Sequence, residues 1–159
     1  NGMNMAKKLE EFFHGKDMVI FTSEKIRTIQ TANILNQQKF LFKELNEINS
    51  GVCDGMSYKE ISLKYPEIYS LRGENKFEYC YPCGESYKDV IRRVKKIIIE
   101  IEKQDKDVLV IAHKAVNRCL FSYFIPTTQE NIPYIDFPLN KIFKIFPEKV
   151  FYRYDVLDI

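Results

Sequence analysis

Three stretches of this 159-residue chain hold side chains whose types and spacing could do chemistry. The first is Val108-Leu-Val-Ile-Ala-His113, which runs straight into residues with helical spacing up to Arg118. It reads as a strand buried on both faces, and polar groups where such a strand ends tend to face a ligand. The plainer reading of His113 is a structural histidine hydrogen-bonded at a loop. The second is Phe21-Thr-Ser-Glu-Lys-Ile-Arg27, a strand entering a helix capped by Thr22-Ser23. Exposed amides at a helix start favour an anion, and Arg27 one turn in leans back toward it. The plainer reading is a solvated arginine covering its helix. The third is Leu45-Asn-Glu47-Ile-Asn-Ser-Gly51. A carboxyl between apolar neighbours could be a general acid with a raised pKa, or only a loop carboxylate.

A further cluster joins Arg72 and Lys76, four apart, to Tyr79, Tyr81 and Tyr87, with Gly84 opening a capped helix. That set would suit a second phosphate or a sugar. Two other motifs look like chemistry and carry none on this reading. Cys80-Tyr-Pro-Cys83 would need two more ligands to hold zinc, and no second pair exists at ligand spacing. A thioredoxin-like role would want it straight after a strand. His14-Gly15 follows a helix, whereas a nucleophilic histidine should follow a strand, so His14 is a helix-end residue.

These groups need elements to position them. Met5, Ala6, Leu9, Phe12 and Phe13 mark one face of a first helix ending near His14-Gly15. Met18 to Phe21 is a short buried strand, followed by a helix from Glu24 to Leu35. Phe40 to Leu45 is a weaker strand, and residues 46–55 form a loop. Ser57 to Tyr65 is a short helix stopped by Pro66, and residues 67–84 are irregular. Tyr87, Val90, Ile91, Val94, Ile97, Ile98 and Ile101 define a long amphipathic helix, with Ser86 as N-cap and Asp89 in capping-box position. A strand from Asp107 to Ala112, a helix from Ala115 to Phe124 and a terminal hairpin (141–146 and 150–156) complete the order. It predicts an α/β fold, a sandwich with a mostly parallel sheet.

The bulk numbers bound the partners. The length suits a single domain. A net charge of +2 is too small for a nucleic-acid footprint. No apolar run approaches the roughly 20 residues that span a bilayer. Four cysteines do not make a disulfide scaffold, so a reduced, cytoplasmic setting is expected.

Taken together, these segments resemble the histidine phosphatase superfamily, of phosphoglycerate-mutase-like fold. They resemble most the fructose-2,6-bisphosphatase domains of bifunctional 6-phosphofructo-2-kinase/fructose-2,6-bisphosphatases. The residues that carry the likeness are Thr22-Ser-Glu-Lys-Ile-Arg-Thr-Ile-Gln-Thr-Ala32, Leu45-Asn-Glu-Ile-Asn-Ser-Gly-Val-Cys53, Tyr65-Pro66, Leu71-Arg72, Tyr81-Pro-Cys-Gly-Glu-Ser-Tyr87 and Ile111-Ala-His-Lys-Ala-Val-Asn-Arg-Cys119. Asn1 to Ala6 is similar to the start of the family's first helix.

The resemblance implies a three-layer α/β/α sandwich and a metal-free phosphatase that removes the 2-phosphate of fructose 2,6-bisphosphate through a phosphohistidine. It implies that Arg27 grips the phosphoryl group, Glu47 protonates the leaving sugar oxygen and His113 steadies the phosphoryl oxygens. Tyr58, Arg72, Lys76, Tyr87 and Arg118 match positions that hold the sugar and its 6-phosphate. Lys114 stands where close relatives usually have glutamine, Cys80 where they have a basic residue and Cys83 where they have glycine. No cofactor is implied for the phosphatase. ATP and magnesium belong to a kinase domain expected upstream, and a homodimer through the full-length protein is compatible with it. Nucleic acid and membrane are not expected partners.

The family's phosphoryl-accepting histidine lies in an Arg-His-Gly signature ending a first strand upstream of the first helix. These 159 residues contain no Arg-His pair, only His14 and His113. The expectation is a single C-terminal phosphatase-type domain over 1–159, N-terminally incomplete, its first strand missing, and inactive alone. Two alternatives stand beside it: a catalytically silent sugar-phosphate-binding domain, and a histidine phosphatase for another phosphate monoester.

Overall fold

A computed structural model describes residues 2–159, and side chains from Lys7 onward. The expected helix face at Met5 and Ala6 therefore lies outside the described side chains. Helix α1 spans Gly2–Phe13, and Leu9 and Phe13 are buried on it. Strand β1 (Met18–Thr22) is buried throughout and pairs in parallel with β2 (Gln38–Leu41) and β3 (Asp107–Ile111), giving the order β2-β1-β3. Alternation along β1 sends side chains to two cores. Val19 and Phe21 meet Val90, Val94, Ile97 and Ile98 of α5 (Tyr87–Glu102) and Val116 and Leu120 of α6 (Lys114–Phe124). Met18 and Ile20 meet Leu9, Phe13, Ala32 and Leu35 on the other face. The parallel sheet is thus sandwiched between helical layers, as expected.

Several boundaries differ from the sequence expectation. Helix α2 is only Ile26–Ala32 and begins after Lys25, so Thr22-Ser23 is not its cap. The Ser23 hydroxyl is drawn elsewhere, as described below. The strand at 40–45 is β2 plus a 3-10 turn at Lys43–Leu45. Pro66 does not end the helical region. It ends α3 (Tyr58–Lys64) and opens α4 (Pro66–Glu74), because proline at a first helical position loses no hydrogen bond. β3 is half-buried rather than covered on both faces, since among the described residues it lies at the sheet edge.

The capping box at Ser86 and Asp89 forms as read, and a second one joins Ser57 to Glu60. β4 (Lys141–Glu148) and β5 (Phe151–Asp158) make the antiparallel hairpin, separate from the parallel sheet. It is seated through Phe143 and Tyr154, whose rings pack edge-on against Phe121 of α6. Among the described residues, no helix is long and apolar enough to cross a membrane.

Candidate active site

The carboxyl ends of β1 and β3 lie side by side, with Thr22 paired to Ile111. This is where ligands bind in open α/β sheets. Ser23 follows β1 and His113 follows β3, and their side chains meet: Ser23 Oγ is 2.8 Å from His113 Nε2. Arg27 Nη2 is 2.8 Å from His113 Nδ1. A guanidinium can only donate, so Nδ1 accepts and the ring proton sits on Nε2, donating to Ser23. Ser23 Oγ lies 2.6 Å from Thr28 Oγ1, which donates to the Lys25 carbonyl at 2.8 Å. His113 is buried. That burial first, and then the positive Arg27, Lys25 and Arg93, lower its pKa from 6.5 to about 4. The imidazole is neutral at pH 7, and the hydrogen bonds require the same state.

A stability prediction follows from this tautomer. The unfolded chain binds a proton at His113 that the folded chain refuses between pH 6.5 and about 4. Stability is therefore full above pH 6.5 and falls as the pH drops through that window, by roughly 3 kcal/mol. Urea midpoints from pH 7 to 4 are expected to fall less steeply for His113→Gln than for the parent chain. Equal slopes would remove His113 from the account.

Glu47 completes the group, with Oε2 4.0 Å from His113 Nδ1. Its other oxygen accepts from the Ile48 amide at 3.0 Å. Burial raises its pKa, outweighing the Ile48 amide and the positive Arg27 and Arg93, which pull it down. The loop holding Glu47 is seated backbone against backbone. Val52 N donates to Pro82 O at 3.1 Å, and Gly84 packs against Asn49 O and Gly51 N.

Beyond Glu47 opens a cleft of about 440 Å³, walled by Tyr58, Arg72, Tyr81, Tyr87, Lys114 and Arg118. Arg72 is buried, stacked over Tyr81 at 4.9 Å and Tyr58 at 5.6 Å. Arg118 Nε donates to Ile135 O at 2.7 Å, and Nη1 donates to the Tyr87 hydroxyl at 3.1 Å. Burial pushes the Tyr81 hydroxyl up to about 12, so it stays a donor. Lys76 stands beside the cleft, 5.9 Å over Tyr58 and 4.8 Å over Tyr134. Its own burial, then Arg72, Arg118 and Lys114, lower its pKa to about 8. Glu47 is the only carboxylate lining this cleft among the described residues.

All nine residues picked from the sequence thus converge, in two groups. Arg27, Glu47 and His113 meet at the strand ends, and Tyr58, Arg72, Lys76, Tyr87, Lys114 and Arg118 surround the adjoining cleft. Sequence reasoning missed Ser23 as a partner of His113, and Thr28 as the partner of Ser23. The position of Ser23 directly after a buried strand was the available signal. Among the described residues, no three His, Cys, Asp or Glu side chains are grouped as a metal would need. All four cysteines are free thiols, with Cys80 and Cys83 exposed and His14 exposed beyond α1.

Comparison with known proteins places the sequence and the fold. The family model of the histidine phosphatase superfamily (branch 1) matches residues 1–149. The chain is 44% identical over 149 residues to 6-phosphofructo-2-kinase/fructose-2,6-bisphosphatase 4 of Homo sapiens, covering 92% of this chain and 32% of that protein. It is 43% identical over 150 residues to fructose-2,6-bisphosphatase of Saccharomyces cerevisiae, covering 92% and 33%. The chain therefore spans about a third of the length of these curated relatives. Among solved structures, an alpha-ribazole phosphatase from Shigella flexneri superposes with a TM-score of 0.83 at 22% identity, covering 99% of this chain and 82% of that one. A mycobacterial glucosyl-3-phosphoglycerate phosphatase in complex with inorganic phosphate gives 0.82 at 17% identity, covering 99% and 85%. At such identities these structures speak for the fold alone. The sandwich with its site at the strand ends is the phosphoglycerate-mutase-like fold, and the chain belongs to the histidine phosphatase superfamily.

Proposed function

We propose that this chain is the phosphatase portion of a protein that hydrolyses fructose 2,6-bisphosphate at its 2-phosphate. The observation that carries the reading is electrostatic. Arg27, Arg72, Lys76, Lys114 and Arg118 crowd one region, and among the described residues none of them is within 4.0 Å of a carboxylate. Arg72 is buried and Lys76 and Arg118 are half-buried, and unpaired cations held out of water are costly unless an anion completes them. Two clusters, one at Arg27 and one at Arg72, Lys76 and Arg118, suit a molecule with two phosphates. Relatives that share over two-fifths of the sequence bear fructose-2,6-bisphosphatase in their names.

In the proposed reaction, Arg27 holds the 2-phosphoryl group beside His113. A histidine from an Arg-His-Gly segment attacks phosphorus, and the bond to the sugar oxygen breaks. Glu47 gives its proton to that oxygen. The resulting carboxylate then takes a proton from water, whose oxygen attacks the phosphohistidine and releases phosphate. No cofactor enters these steps. A kinase domain upstream, using ATP and magnesium, belongs to the same proposal, as does a sugar phosphate as the only partner of this portion.

The test compares fructose 2,6-bisphosphate with fructose 2-phosphate on the full-length protein. The bisphosphate is expected to show a KM at least about 10-fold lower below pH 8, since a charge-assisted contact in a partly buried site contributes that much. The advantage should shrink above pH 8 as Lys76 loses its proton. Lys76→Met should shrink the advantage, leaving what Arg72 and Arg118 supply, and remove its pH dependence. Equal KM values for the two esters would overturn the bisphosphate reading, and failure to trap a phosphohistidine on alkaline quench would favour a silent binding domain.

A further inference from the structure

The loop bearing Glu47 is exposed on one side, yet its carboxyl must stay within reach of a reacting oxygen. Its backbone is gripped from α5 by one side chain. Arg93 Nη1 donates to Glu44 O, and Nη2 donates to Asn46 O at 2.7 Å. The same guanidinium makes a fork with Glu85, Nε to Oε1 at 2.8 Å and Nη2 to Oε2 at 3.1 Å. Glu85 then takes the far end of the loop. Its Oε2 accepts from Asn49 N at 2.9 Å, and its own amide donates to Asn49 O at 2.8 Å. Both side chains are about four-fifths buried, at 19% and 23% exposure. Arg93 does not line the cleft with Arg72 and Arg118.

We propose that Arg93, braced by Glu85, is a positioning residue that fixes both ends of the Glu47 loop and so sets where the acid's carboxyl stands. The proposal rests on the reading of Glu47 as general acid. Its geometry explains the residue type. The planar fork reaches two carbonyls and a carboxylate at once, which a lysine ammonium on a flexible stem cannot do. Glu47 sits between Asn46 and Asn49, so a slack clamp moves the proton donor while the phosphate-gripping cations stay in place. Small misplacement of a reacting group is enough to lose most of its contribution.

The experiment uses leaving groups to separate positioning from mere stability. A sugar phosphate needs its departing oxygen protonated. An aryl phosphate with an acidic phenol does not, because the phenolate leaves unaided. On the full-length protein, Arg93→Met and Arg93→Lys are expected to lower kcat for the sugar ester roughly 100-fold, the typical scale of general acid catalysis. KM should move less than about 3-fold, and the aryl ester should slow by less than about 3-fold. Glu85→Gln, which keeps an acceptor for Asn49 N, should show the same selectivity at about 5-fold to 10-fold. It decides the matter if the Arg93 variants fail to fold. Glu47→Gln serves as the benchmark for leaving-group selectivity. Equal slowing of both esters by the clamp variants, or of neither, overturns the proposal while the benchmark stands. A Glu47→Gln variant with no selectivity removes the acid, and the clamp's purpose with it.

Discussion

Glu47→Gln is expected to cut kcat on fructose 2,6-bisphosphate by about 100-fold to 1,000-fold, with KM changed less than about 3-fold. The expectation rests on what the substitution leaves untouched. Glutamine is nearly the same shape and can still accept from the Ile48 amide that now meets Glu47 at 3.0 Å. It should not disturb Arg72, Lys76 or Arg118, which reach the cleft from α4, the segment after it and α6. What is lost is a proton that can be given away. Burial holds the Glu47 pKa above its ordinary value, despite the Ile48 amide and two nearby arginines. The acid form therefore persists to higher pH than in a solvated carboxyl. The alkaline limb of kcat should reflect this and vanish in the variant. Steady-state kinetics across pH on the full-length protein would check both points. A variant whose KM rises while kcat holds would make Glu47 a binding group rather than an acid.

How far the sequence shows this site depends on the physics behind each signal. His113 and Arg27 are visible because a hydrophobic run ending in a polar residue is a local pattern, and topology places such ends together. The amphipathic α5 is visible for the same reason: Val90, Val94, Ile97 and Ile98 repeat at helical spacing and are all buried. α4 is not, because its apolar residues form no consistent stripe and Pro66 looks like a stop when it is a start. The Ser23 hydroxyl looks like a helix cap locally. Its actual partners come from 90 residues away at His113 and five away at Thr28, and no local pattern encodes that choice. The Arg93 clamp is hidden in the same way. On the sequence it is one of several charges on a helix, and only the fold brings residues 44 to 49 and Glu85 to it.

Gly51→Ala should be the most damaging small substitution in the chain, and the reason is again long-range. Gly51 has a φ of 52°, which non-glycine residues adopt only at a cost. A Cβ there would fall well inside the Pro82 carbonyl oxygen, and would lie 2.8 Å from the Cys83 carbonyl carbon and 2.9 Å from Gly84 N. All three are backbone atoms and cannot swing aside as a side chain would. Gly84 makes the reciprocal approach, its hypothetical Cβ lying 2.7 Å from Gly51 N. The two strands of loop can touch only because both residues lack side chains. Strain and overpacking together should cost about 3 kcal/mol or more, lowering Tm by roughly 10 °C for a domain this size. Because this contact seats the loop that begins at Glu47, any folded Gly51→Ala protein should also lose kcat more than KM. Gly73→Ala is the control. It lies in α4 with nothing within 4 Å of the added methyl, and alanine suits a helix better, by up to about 1 kcal/mol. Thermal melts of the two variants beside the parent chain would settle it. Equal Tm values for all three would show that the loops have room to part, and that the seating of Glu47 does not depend on this glycine pair.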